Sequence, residues 1–237
     1  MTRPRPAAER FVAGLPAALR AQLTVIHAPL LEIVPLAVAV PAEGLRGVIF
    51  TSANGVEAAA RAGTPTGLPA YCVGEQTAEA ARAAGWPPRV TCPDAERLIA
   101  ALLRLRPEAP LLHLRGVHAR GDIAGRLTAG GIETRALPVY DQRLLPLTAQ
   151  ARAALAAKEP VIVPLFSPRT ARQFADIGGG SAPLYLAAIS PAAAEAVENM
   201  HPAALIVAGH PDAAAMTAAV ETLVARASRL EGPGAAQ

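Results

Sequence analysis

The chain has 237 residues, of which 52% are hydrophobic, 17% charged and 3% aromatic, and its formal net charge is +3. That length holds two modest domains, each able to bury a core of its own, and the apolar content excludes a disordered chain. The small basic surplus forms no run or helix stripe, and aromatic rings are scarce, which argues against nucleic acid as a partner.

Met1–Pro4 reads as the end of a strand whose body either lies upstream of Met1 or is weakly formed by these residues. The N-terminus has charge but no apolar core of a secretory signal. A helix is predicted over 7–20 and an extended segment over 25–36. The most apolar stretch, Thr24–Val40, is interrupted by His27, Glu32 and two prolines, so it cannot span a bilayer. The expected protein is soluble and cytoplasmic, with no membrane partner. Cys72 and Cys92 lack CxxC spacing and read as small reduced core residues.

From Val48 the pattern alternates. Strands are predicted at 48–51, 70–73, 89–91 and 111–114, with helices at 54–62, 75–84, 95–105 and 119–129. An extended segment follows over 132–143, then a helix over 148–157. A second set has strands at 161–166, 184–189 and 204–208 and helices at 169–176, 191–199 and 212–227. The tail Ser228–Gln237, with Gly232, Pro233 and Gly234, reads as frayed. Strands alternating with helices imply parallel sheets covered on both faces and joined by right-handed crossovers.

The two sets repeat. VIFTSANGVEAAARAG from Val48 and VIVPLFSPRTARQFADIG from Val161 each run from an apolar strand through a small hydroxyl residue into a helix, placing Ser52 and Ser167 115 residues apart. Two further pairs keep nearly the same offset: Tyr71–Gly74 with Leu186–Ser190, and Arg89–Asp94 with Leu205–Asp212. The fold class expected is therefore α/β, two doubly wound parallel-sheet (flavodoxin-like) domains from an internal duplication. Residues 1–34 with 144–237 would form a discontinuous domain and 35–143 an inserted one, with linkers near 29–36 and 137–144. A two-strand tether of that kind allows hinge motion about a cleft.

Open parallel sheets bind ligands beyond the carboxyl ends of their strands. Those ends carry Thr51–Asn54, Gly74–Thr77, Thr91–Asp94 and Arg115–His118 in one domain, and Ser167–Thr170, Ser190–Pro191 and Gly209–Asp212 in the other. Each hydroxyl or Asp taken singly is an ordinary helix N-cap. Together they are two sets of anion-favouring helix starts, suited to a large polyanion. GxGxxG, GxxxxGK[ST] and GxSxG are absent, and the five histidines lack metal-ligand spacing, so no metal or nucleotide is expected. Gly178–Gly180 reads as a helix-ending turn, and Arg120-Gly121-Asp122 as a chance tripeptide. Composition and motifs by themselves reach a two-domain anion-binding α/β protein.

An ordered series of short patterns goes further. VIFTSAN at Val48, VGEQTA at Val73, LLHLRG at Leu111 and GGIETRALPVY at Gly130 resemble uroporphyrinogen-III synthase. So do FSP at Phe166, AISP at Ala188 and VAGHPD at Val207, the opening Thr2-Arg3-Pro4, and PLLEIVPL at Pro29. The resemblance covers nearly the whole chain. It implies an enzyme that closes hydroxymethylbilane to uroporphyrinogen III with ring D inverted, using no cofactor, as a monomer, with room for a transient contact to hydroxymethylbilane synthase. It implies a cleft between two flexibly joined domains. It makes Tyr140 the group assisting loss of the terminal hydroxyl. Arg3, Thr51, Ser52, Asn54, Thr77, Arg115, Gly116, Ser167 and Ser190 would contact substrate.

Two departures stand out. Ala192 and Ala193 occupy positions where the family has hydroxyls, and the shortened first strand bears on the placement of Arg3. A non-catalytic two-lobed anion- or tetrapyrrole-binding module, or a descendant without activity, are the competing readings. Turnover separates both from the enzyme.

Overall fold

Contacts along the chain close into two compact units, the first Met1–Glu32 with Leu144–Gln237 and the second Ile33–Arg143. The structure is a computed structural model and describes residues 1–119 and 121–231. Arg120 of the tripeptide and Gly232–Gln237 of the expected frayed tail lie outside the described residues.

In chain order the elements are α1 (Arg5–Ala13), α2 (Ala17–Arg20), β1 (Leu31–Pro35), β2 (Gly47–Phe50), α3 (Ala53–Arg61), β3 (Ala70–Val73), α4 (Glu75–Ala83), β4 (Pro88–Cys92), α5 (Ala95–Leu105), β5 (Leu111–Gly116), α6 (Ile123–Ala129) and β6 (Thr134–Leu144). Then come α7 (Ala149–Ala156), β7 (Val161–Leu165), α8 (Pro168–Ile177), β8 (Leu184–Ala188), α9 (Pro191–Glu195), a 3₁₀ turn (Glu198–Met200), β9 (Ala204–Val207) and α10 (Ala213–Glu231).

The second unit's sheet runs β1-β6-β5-β2-β3-β4, parallel from β6 to β4. Counted from β2, its parallel strands lie in the order 3-2-1-4-5 reversed about β2: β6 and β5 on one side, β3 and β4 on the other. The doubly wound class is as expected, but the flavodoxin order, 2-1-3-4-5, is not the one found. Val48 and Phe50 face a core with Val56, Ala59, Ala78 and Trp86, while Ile49 faces Leu98, Leu102 and Leu127 on the other side. Period-two alternation thus feeds one core per face. The winding reverses between β2 and β5.

The first unit has the parallel sheet β7-β8-β9. Leu186 and Ala188 face a core with Leu155 and Phe174, while Tyr185 and Ala187 face Phe11, Val220 and Leu223. A cavity of about 470 Å³ lies at the amino end of β7, lined in part by Met1, Ala151, Val161, Phe174 and Ala227.

Several expected boundaries move. The helix expected over 7–20 breaks between α1 and α2, because Pro16 has no N–H to continue the ladder and disfavours helical backbone at Leu15. Met1–Pro4 form no strand, yet the Met1 and Thr2 carbonyls accept from Ala28 and Leu30 N–H. Only 31–35 of the extended segment 25–36 is strand. The helix expected from 119 starts at Ile123, where Asp122 accepts from Gly125 N–H at 2.9 Å. The one expected over 191–199 stops at Glu195, ahead of a turn in which His201, before Pro202, is left-handed. α10 continues through Ser228 to Glu231, past the expected fraying point. Both cysteines are free, and no described helix is long and apolar enough to cross a membrane.

Candidate functional site

At the reversal between β2 and β5, helices leave the sheet toward opposite faces and open a crevice at the strands' carboxyl ends. Ser52 sits there as N-cap of α3, its backbone extended and its Oγ accepting from Gly55 N–H at 3.1 Å. β6, the next strand beyond β5, brings Tyr140 opposite Gly116. The phenolic oxygen of Tyr140 lies 3.1 Å from Ser52 Oγ, across 88 residues of sequence. Tyr140 is 6% exposed.

Gly116 explains how the ring fits. A Cβ there would stand 2.7 Å from Tyr140 Cζ and 3.0 Å from its hydroxyl, so only glycine leaves room for the phenol. Gly74, by contrast, is required by backbone, since its φ of +80° starts α4 in a conformation L side chains rarely adopt.

Thr51 and Asn54 flank Ser52 at half-buried positions, and Asn54 lies in the first turn of α3, whose leading amides lack intrahelical partners. Arg115 folds back on its own strand end, donating from Nη1 to the carbonyls of Gly116 at 2.9 Å and Val117 at 3.1 Å. Thr77, at the end of adjacent β3, is buried at 5% exposure within the first turn of α4. The crevice thus brings together Thr51, Ser52, Asn54, Arg115, Gly116 and Tyr140, with Thr77 one strand away.

The remaining three predicted residues belong to the first unit. Ser167 caps α8, accepting from Thr170 N–H at 3.1 Å and meeting Thr170 Oγ1 at 2.9 Å. Arg3 places its guanidinium 4.4 Å from the centre of the Phe166 ring, and its pKa falls through burial and the nearby charge of Arg10. Ser190 opens α9 without a side-chain cap bond. Of the two departures, Ala193 is buried in the core and Ala192 is exposed.

Sequence reasoning missed the pairing of His118 Nε2 with Asp141 Oδ1 at 3.5 Å, beside Tyr140. It also missed that Gly116 serves the phenol by yielding space. No pattern signalled either, because both depend on the register of β5 against β6. The 470 Å³ cavity is not this site: it lies at the opposite end of β7 from Ser167, and among the described residues its one ionisable side chain is the carboxylate of Glu159. Among the described residues no group of three His, Cys, Asp or Glu side chains could hold a metal.

Solved structures share this fold. Uroporphyrinogen-III synthetase from Helicobacter pylori 26695 matches with a TM-score of 0.65 and 21% identity, over 82% of this chain and 91% of that one. A mutant uroporphyrinogen III synthase from the extremely thermophilic bacterium Thermus thermophilus matches with a TM-score of 0.50 and 15% identity, over 90% of this chain and 95% of that one. In sequence comparison no curated protein matches the chain. The model of the family described as uroporphyrinogen-III synthase HemD matches residues 15–218, far more than half of the chain, which therefore belongs to the uroporphyrinogen-III synthase family.

Proposed function

We propose that this protein is a cyclising hydro-lyase that converts hydroxymethylbilane to uroporphyrinogen III, with Tyr140 as the acid that assists departure of the terminal hydroxyl. Family membership supports the reaction. The observation carrying the residue assignment is the phenol of Tyr140 held against Ser52 at the sheet's reversal point.

The chemistry asks little of the protein. The hydroxyl takes a proton and leaves as water, drawn out by the pyrrole nitrogen's electrons, and the resulting azafulvene is electrophilic. The substituted carbon of ring D attacks it, giving a spiro intermediate whose rearrangement inverts that ring. Substrate supplies both nucleophile and electrophile. What remains is one proton transfer, bending of the chain, and neutralisation of eight carboxylates.

Thr51, Asn54 and the free amides at the start of α3 suit carboxylates, as does Arg115 once its guanidinium turns outward. Ser52 stands between these groups and Tyr140, and Thr77 and Gly116 shape the crevice. Arg3, Ser167 and Ser190 would serve other carboxylates from the first unit. We assign no cofactor. We take the chain to act as a cytoplasmic monomer that receives its labile substrate from hydroxymethylbilane synthase, a handover favoured because the bilane cyclises spontaneously.

The test is isomer analysis. Purified protein is added to porphobilinogen and the deaminase, the product is oxidised, and uroporphyrins I and III are separated. A dominant type III signal is expected. Type I alone, from folded protein, would leave a tetrapyrrole-binding module in place of the enzyme. In the same assay Tyr140→Phe should lower kcat by roughly 10²-fold, the usual scale for a positioned general acid.

A further inference from the structure

Ser52 makes two contacts, and its hydroxyl can serve both at once. A hydroxyl has one proton and two lone pairs. One lone pair of Ser52 Oγ takes the Gly55 N–H at 3.1 Å, a bond that only the amide can donate. The Ser52 proton remains free for the phenolic oxygen of Tyr140, 3.1 Å away. When Ser52 donates, the proton of Tyr140 must point elsewhere.

We propose that Ser52 is a positioning residue for Tyr140: its hydroxyl relays the positive amino end of α3 to the phenolic oxygen and turns the phenolic proton toward the substrate. This rests on the acid role assigned to Tyr140 above. As the substrate's C–O bond breaks, the oxygen keeps the bonding pair, takes the phenolic proton and leaves as water. The phenolate left behind accepts from Ser52 O–H, itself polarised by Gly55 N–H and the unpaired amides of a nine-residue helix. A hydrogen bond to an ionised acceptor is about twice as strong as one to a neutral oxygen, so the contact strengthens as charge develops. In the rearrangement the spiro carbon's bond to the ring C methylene breaks, the unsubstituted α-carbon of ring D bonds to that methylene instead, and the proton this carbon sheds on rearomatisation returns to the phenolate.

The molecule contains its own control. Ser167 has the same capping backbone, with φ −161° and ψ 152° against −161° and 151° at Ser52. Its Oγ meets Thr170 Oγ1 at 2.9 Å. The contact with a phenol is therefore no by-product of the capping turn. It requires Tyr140 to lie on Gly116, where any Cβ would push the ring away.

The experiment is a double-mutant cycle on the coupled assay, with Ser52→Ala, Ser52→Thr, Tyr140→Phe and the Ser52→Ala, Tyr140→Phe double variant. Ser52→Ala should lower kcat on the order of 10- to 100-fold with KM unchanged. Ser52→Thr, which keeps hydroxyl and cap, should restore most of the rate. Added to Tyr140→Phe, Ser52→Ala should cost nothing further. Should alanine weaken the fold, Ser52→Gly gives the same comparison with the helix start largely kept. A raised KM at full kcat would make Ser52 a substrate contact and overturn the proposal, as would an equal loss of kcat with and without the phenol. Tyr140→Phe at wild-type rate would instead remove the acid itself, a failure read from that single variant.

Discussion

The two units carry the same strand–serine–helix device in different surroundings. In the second unit β2 is paired on both sides, by β3 and β5, and each face of the sheet has a closed core. In the first, among the described residues, β7 pairs with β8 alone. Beyond its other edge the Thr2 hydroxyl donates to the Pro164 carbonyl at 2.7 Å, and the 470 Å³ cavity opens at its amino end. Local sequence reproduces the capping turn faithfully. What the serine touches, and how tightly its strand is enclosed, depends on which strand lies alongside.

The largest effect that would sharpen this contrast is Trp86→Ala. Trp86 is fully buried against Phe50, with ring centroids 5.2 Å apart, and its Nε1 donates to the Pro65 carbonyl at 2.8 Å. The second unit should lose about 3–5 kcal/mol, read from the denaturation midpoint. A cost under about 1 kcal/mol would mean that this core is as yielding as the cavity-bearing one.

Next comes acid. His113 is buried on β5, its Nε2 has no hydrogen-bond partner among the described residues, and desolvation with the Arg115 charge lowers its pKa from 6.5 to about 4. A depressed histidine pKa means that the unfolded chain takes up the proton first. Stability should therefore be unaffected above pH 6.5, fall as pH drops from 6.5 toward 4, and level off below, by about 3 kcal/mol in all. His113→Leu should flatten that portion of the stability–pH curve; an unchanged slope would place the acid sensitivity elsewhere.

Gly116→Ala tests the platform under the phenol. The added Cβ would meet the ring at 2.7 Å, so kcat should drop about tenfold or more, at a stability cost of about 1–3 kcal/mol. A wild-type kcat would show that the ring's place on Gly116 is immaterial to turnover.

The smallest effects set the two cores directly against each other. Ala227, beside the cavity, should accept leucine and gain about 0.5–2 kcal/mol. Ala59, fully buried in the closed core, should lose about 1–3 kcal/mol on the same change. Paired melting curves check both, and equal signs would break the comparison.

Much of this protein was legible before folding was considered. Apolar runs of four to six residues followed by amphipathic stretches are readable because they report the backbone's own periods, and Ser52, Asp94 and Ser167 cap helices because a short side-chain oxygen reaches a nearby N–H. The family, too, could be read from short patterns in order. Local conflicts were harder to see: Pro16 interrupts an otherwise helical pattern, and Pro202 stands just beyond the turn that ends one.

The tertiary structure alone decided the rest. Strand order depends on which crossovers pack together, and no stretch of sequence encodes that by itself. It set β5 beside β2 and β6 beyond β5, brought Tyr140 to Ser52 across 88 residues, and, among the described residues, left β7 with one neighbour and a cavity. Sequence determines what each segment can form because those interactions span three or four residues. The site depends on the register of distant strands, which only burial of the whole sheet selects.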